Sequence, residues 1–219
     1  MKNPGSRGEH NLQKEFKTEK RASAFYNTQL LHHLNPEMCR FILEQEMVFI
    51  STADANGECD ASFRAGHAGF VEVLDEKTLI FPEYRGNGVL ASRGNIAENP
   101  HIGMVFIDFY QSSIGLHVNG KAEIFSNEDL ESDPAPSGKI KMALKTSGPR
   151  KPISWIKVQV EEAYIHCSKH IPLMQKLDKT IHYCNIKANW PSLVYQSTLC
   201  SPRGNGHSLT RTGASCGSR

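Results

Sequence analysis

Three short stretches of this chain carry the side chains that could do chemistry. In Asp60-Ala61-Ser62-Phe63-Arg64 the hydroxyl and the guanidinium stand two residues apart, so on an extended strand they share one face. Pro82-Glu83-Tyr84-Arg85-Gly86-Asn87-Gly88 is a glycine-bearing loop that runs into a helical pattern, whose first turns hold Ser92, Arg93 and Asn95. A helix start offers unpaired backbone N–H groups and a partial positive charge. Beside an arginine, that is the chemistry of a phosphate site. A second reading stays open at this level, with Arg64 and Arg85 as solvated surface charges and Gly86-Asn87-Gly88 as an ordinary loop, because the strict G-x-G-x-x-G pattern is absent. No parallel crossover unit surrounds the loop, which disfavours a Rossmann dehydrogenase. No G-x-S-x-G elbow exists, which disfavours a Ser/His/Asp hydrolase.

The elements that must position these stretches are mostly strands. Asn35-Pro36 reads as an N-cap followed by proline at the first helical position, and Met38, Phe41, Ile42 and Gln45 continue at helical spacing, giving a helix from Pro36 to Gln45. Strand patterns follow at 47–53, 58–66, 69–75 and 78–83, with an Asn56-Gly57 hairpin signal and a tight turn at Asp75-Glu76-Lys77. These steps predict a meander. A helix is expected to bury Val89, Leu90, Ile96 and Ala97 and to stop at Asn99-Pro100. Strands return at 101–109, apolar on both alternate sets, at 114–124, and at 153–167 with a bulge at Glu161-Glu162. A weaker helical pattern covers Lys139 to Lys145 within the polar stretch from Ser126 to Pro152. Seven strands with a helix inserted in mid-order predict a mainly β fold, a mostly antiparallel β-barrel with a few helices.

Composition sets the limits of that barrel. Of 219 residues, 25 are Lys or Arg and 23 Asp or Glu, a net charge of +2 that excludes the cationic surface of a nucleic-acid binder. The expected division is a polar flexible N-terminus at 1–21, a folded domain at 22–190, and a disordered Ser/Gly-rich tail at 191–219. No apolar run approaches the roughly 20 residues of a membrane helix, and the first residues carry no apolar signal stretch. The expectation is a soluble cytoplasmic protein. Its six cysteines are sparse and none forms C-x-x-C, so reduced thiols are expected. His166-Cys167-Ser168-Lys169-His170 offers three potential metal ligands, but it lacks a fourth ligand and the second half of a zinc pattern, so no metal site is assigned.

The stretch from Asp60 to Phe109, followed by LHVNGKAEI, resembles the pyridoxamine 5'-phosphate oxidase-like family of FMN-binding split barrels. The shared blocks are S-x-[KR]-x-G-x-x-G-F-V, then F-P-x-Y-x-G-N-G, N-P-x-[IV]-G and V-N-G, with EEAYIHCSKHIP resembling the closing strand. The resemblance covers about Phe41 to Met174. It implies a homodimer with one FMN in each of two clefts at the subunit interface. It places the phosphate on Arg64 and the Asn87 to Ser92 region with Ser62 nearby, and Phe81, Pro82 and Glu83 along the ribityl chain and ring. The chain departs from the branch's pattern at His67-Ala68 and at Ala91-Ser92-Arg93, where Arg93 either adds a phosphate contact or faces solvent. The implied function is FMN-dependent oxidation or reduction of a small molecule. The alternatives are a non-enzymatic flavin or haem binder and a deazaflavin-dependent reductase. Catalytic residues are unassigned: His67 and His117 titrate near neutral pH and are candidates for proton handling, or else ordinary loop and strand-face histidines. Nothing near the C-terminus supports pyridoxamine phosphate as substrate.

Overall fold

The apolar alternation that begins at Met47 builds one antiparallel sheet in the computed structural model, which describes residues 4–132, 136–166 and 168–177. Among these residues the sheet has seven strands: β1 (Met47–Ala53), β2 (Cys59–Ala65), β3 (Glu72–Asp75), β4 (Thr78–Glu83), β5 (His101–Ile107), β6 (Gly115–Phe125) and β7 (Ser154–His166). Their spatial order is β2-β1-β5-β6-β7-β4-β3. The fold is the mainly β, antiparallel split barrel that the sequence leads one to expect. The expected C-terminal tail and Cys167 lie outside the described residues. None of the described helices is long and apolar enough to cross a membrane.

The meander is only half realised. β1 pairs with β2 and β3 with β4, but β2 and β3 occupy opposite edges of the sheet. The connection after β2 turns away at Gly66 to Phe70, where the Gly66 and Gly69 amides donate to the Glu46 and Gln45 carbonyls and close the backbone against the end of the preceding helix instead of a neighbouring strand. That connection carries the chain across the barrel.

Inward-facing residues of alternate register fill the barrel: Val48 and Ile50 from β1, Leu79 and Phe81 from β4, Met104 and Phe106 from β5, Leu116 and Val118 from β6, and Ile156 and Val158 from β7 are all at most 1% exposed. Each such side chain contributes roughly 1.5–3 kcal/mol of hydrophobic stabilisation. Helix α3 (Pro36–Glu44) packs Met38 and Ile42 onto this core. Asn35 caps it, its side chain accepting from the Met38 N–H at 2.8 Å. Asn35→Ala is therefore expected to cost about 1 kcal/mol. Thermal unfolding should show this as a fall of about 2–4 °C in Tm.

The polar stretch between β6 and β7 contains two short helices, α5 (Asn127–Glu131) and α6 (Gly138–Leu144); α6 matches the weak pattern at Lys139 to Lys145. Leu130, Ile140 and Leu144 form a second apolar cluster with Ile80 and Trp155 on the outer side of β4 and β7. The Trp155 indole donates to the Asn127 side chain at 3.0 Å, which satisfies its only polar atom. β4 is thus covered on both sides.

Residues Arg7–Glu15 (α1) and Glu19–Thr28 (α2) are helical, although both sequences bury no residue fully. Ser6 and Glu9 form a reciprocal capping box at the start of α1. Tyr26 ties the pair together, accepting from Gln13 at 2.8 Å and donating to Glu9 at 3.1 Å. Phe25 then sets its ring edge-on to Tyr164 of β7, with centroids 5.3 Å apart.

Candidate functional site

β2 is an edge strand, and its inner face is polar. Asp60, Ser62 and Arg64 alternate on one side, opposite Thr52, Ile50 and Val48 of β1, and each is half-buried. Three polar side chains in a row at the rim of an apolar barrel need partners, because an unpaired buried polar group is costly. Their partners come from β4 and from the helix that follows it.

The loop after β4 turns twice through left-handed glycines, Gly86 with φ 54° and Gly88 with φ 84°. Asn87 stabilises it by accepting from the Val89 N–H at 3.0 Å. Leu90 is also left-handed, with φ 59°, and it precedes helix α4 (Ala91–Glu98) without supplying a side-chain cap. Because the helix starts only after Leu90, the apolar face read from the sequence forms only at Ile96: Val89, Leu90 and Ala97 are exposed, and Ser92 is the other residue that α4 buries. One turn apart, Ser92 and Ile96 place a hydroxyl over β2 and a branched apolar side chain over the core. Asn95 reaches down to Thr52, donating at 3.1 Å.

A continuous network results. Arg64 donates through Nε to Glu83 Oε1 at 2.6 Å, through one terminal nitrogen to Ser92 Oγ at 3.3 Å, and through the other to the Phe63 carbonyl at 3.1 Å. The Glu83 side chain is 7% exposed and that of Arg64 24%. Ser62 Oγ donates to Asp60 Oδ2 at 2.8 Å, and Ser92 Oγ lies 3.2 Å from the same oxygen and 3.1 Å from Ser62 Oγ. A guanidinium has five N–H groups, so Arg64 retains two for a ligand. Beside Ser92 on the helix, Arg93 is half-buried and its Nε is buried with no hydrogen-bond partner among the described residues.

Four of the residues singled out from the sequence, Ser62, Arg64, Glu83 and Ser92, therefore meet. The others stand apart. Phe81 is fully buried among the barrel's apolar residues, Pro82 is half-buried next to it, and Asn87 is exposed in the loop. Asp60 belongs to the network without having been singled out, although it shares the period-2 face of Ser62 and Arg64. His67 is exposed in the loop after β2. His117 stacks on Tyr164, centroids 4.7 Å apart and planes 9° from parallel. Burial and the nearby Glu162 carboxylate push the Tyr164 hydroxyl's pKa up. Among the described residues no group of His, Cys, Asp and Glu could hold a metal ion.

Comparison with known proteins bears on the fold. The sequence model of the pyridoxamine 5'-phosphate oxidase family matches residues 34–167. Among solved structures, HupZ from Group A Streptococcus is 24% identical, with 60% of this chain and 93% of that chain covered and a TM-score of 0.46. General Stress Protein 26 from Bacillus anthracis is 18% identical over 59% of this chain and 91% of its own, with a TM-score of 0.39. An F420 reductase is 20% identical over 59% of this chain and 98% of its own, also with a TM-score of 0.39. No curated protein matches the chain. The matched segment opens just before α3, runs through all seven strands to the end of β7, and takes in every member of the Arg64 network: this chain belongs to the pyridoxamine 5'-phosphate oxidase family.

Proposed function

We propose that this chain is a cytoplasmic, homodimeric oxidoreductase that uses FMN to oxidise or reduce a small molecule. The observation that carries the reading is the convergence of Arg64, Ser62 and Ser92 at the uncapped start of α4. The residues fit a phosphate. Arg64 keeps two N–H groups, the buried Nε of Arg93 has no partner among the described residues, and the first turn of α4 holds no acidic side chain. Arg64 and the Asn87 to Ser92 region would hold the phosphate, Ser62 would stand beside it, and Pro82 and Glu83 would flank the ribityl chain and ring. Phe81, buried in the core, would support that wall from behind through β4.

Bound there, the flavin supplies two-electron redox chemistry through its ring. The chain's share is to bind and orient it, and to keep charge near its phosphate balanced. Dimerisation is supported by the outer face of the sheet, where Phe63, Phe49, Val105, His117 and Tyr164 stand in register across five strands. Phe49 is 42% exposed and Phe63 52%, with their rings in contact. A second copy of the chain would cover the exposed Phe49 and Phe63 end of this row. Sedimentation should give a dimer at micromolar concentration, and a monomer would contradict it.

Titration of the purified protein with FMN tests the cofactor. The expected product is a yellow protein whose two flavin bands bleach with a reductant and return in air. A Soret band on titration with haem alone, or redox activity supported only by a deazaflavin, would overturn the FMN reading.

A further inference from the structure

Phosphate sites are built from donors, yet the two serines of this one have already given their hydrogens away. Each hydroxyl owns a single hydrogen. That of Ser62 points to Asp60 Oδ2 at 2.8 Å, and Ser92 Oγ lies within bonding distance of the same oxygen at 3.2 Å, with Ser62 Oγ as its other acceptor. The acceptor side of Ser92 is used as well, by Arg64. Of the two carboxylates here, Glu83 has a cation and Asp60 does not: the Asp60 side chain has no ion pair among the described residues, and the serine hydroxyls are its partners.

We propose that Asp60 is a built-in competitor for the cofactor's phosphate, and that it sets how tightly this site holds FMN. To take the hydroxyls of Ser62 and Ser92, a phosphate must replace Asp60 as their acceptor while its own negative charge approaches a carboxylate that has no ion pair among the described residues. Like charges at that range oppose each other. Asp60 therefore occupies in the free protein the role that the ligand plays in the complex. The site exchanges its cofactor more readily than one built from the same arginine and serines alone. Asp60 touches no ring atom in this scheme; it acts on the phosphate end through the serines, as a positioning residue.

The inference rests on the FMN reading, and the experiment separates the two. Wild-type protein and Asp60→Asn are titrated with FMN and with riboflavin, which has the same ring and ribityl chain but no phosphate, following the quenching of flavin fluorescence. Asp60→Asn removes the negative charge that opposes the phosphate and leaves the serines a neutral amide oxygen, a weaker competitor for their hydrogens, so FMN should bind about tenfold more tightly to this variant. Riboflavin affinity should stay within about twofold, because riboflavin brings no negative charge to the position beside residue 60. A merely structural role for Asp60 would move both flavins together. An unchanged or lower ratio of FMN to riboflavin affinity in the variant overturns the proposal. If neither flavin binds the wild-type protein, the FMN reading itself fails and this inference with it. Asp60→Ser, which removes the charge and keeps a hydrogen-bonding oxygen, gives the same comparison if the asparagine variant does not fold.

Discussion

Replacing Arg64 with alanine is expected to weaken FMN binding by tenfold or more and, separately, to lower the melting temperature of the free protein. The first effect follows from the loss of charge-assisted hydrogen bonds to a phosphate, each worth roughly 1.5–3 kcal/mol, where about 1.4 kcal/mol is a factor of ten. The second comes from Glu83, whose carboxylate is nearly buried and has Arg64 as its cation at 2.6 Å. Removing one partner of a buried pair costs about 3–5 kcal/mol, and the partial exposure of Arg64 brings the expected loss to about 2–3 kcal/mol, or roughly 4–12 °C in Tm. The double variant Arg64→Ala/Glu83→Gln tells the effects apart. It no longer strands a charge, so most of the stability should return, while FMN affinity stays low. Arg64→Lys should recover little of either, since one ammonium cannot serve Glu83, Ser92 and the Phe63 carbonyl together. Flavin titration and thermal melts on the four proteins read out both quantities. Unchanged FMN affinity in Arg64→Ala would remove Arg64 from the site.

What could be read from the sequence divides by the range of the interaction. All seven strands form within a few residues of their expected bounds, because alternation and turn chemistry are local: Asn56-Gly57 makes its hairpin with Gly57 at φ 85°, and the Glu161-Glu162 pair gives the bulge, Glu161 being the residue left over between Asn119↔Glu162 and Gly120↔Val160. Sheet order is not local, and nothing in the periodicity of β2 and β3 tells that they end on opposite edges. Helix α4 shows a subtler failure. Its expected apolar face counted Val89 and Leu90, but a left-handed Leu90 delays the helix, and the register that results buries Ser92. The same shift puts the hydroxyl into the network with Arg64. In the N-terminal segment, expected to be polar and flexible at 1–21, Ser6-x-x-Glu9 forms a capping box at the start of α1. At the candidate site, hydrogen bonds bring Ser62, Arg64, Glu83 and Ser92 together from β2, β4 and α4. Asp60 was within reach of the same period-2 argument, but an acid at a phosphate site invites no notice until the serine hydroxyls are seen pointing at it.

Gly120→Ala is expected to be the most damaging single methyl addition in the barrel. Gly120 sits at the register shift between β6 and β7, paired with Val160, and its backbone is pressed against the opposite strand. A Cβ there would lie 2.0 Å from the Gln159 carbonyl oxygen, 3.0 Å from its carbon and 3.2 Å from Val160 Cα, all main-chain atoms with no side-chain rotation to relieve them. The strands would have to part. β7 is bonded to β6 on one side and β4 on the other, and Val118, Ala122, Val158 and Val160 around the contact are core residues, so the separation opens the core as well. Overpacking of ordinary side chains costs about 1–3 kcal/mol, and a clash between two backbones stands at or beyond the upper end of that range. The expected result is a loss of at least about 3 kcal/mol, seen as a Tm lower by roughly 6–12 °C or as failure to recover folded protein. Gly57→Ala is the control: its φ of +85° strains an L-residue, but nothing lies within 4 Å of the added carbon. That variant should lose only about 1–2 kcal/mol, the cost of the left-handed conformation. If the two variants melt together, β7 can slide off the bulge at little cost, and the register at Gly120 is not fixed by backbone contact.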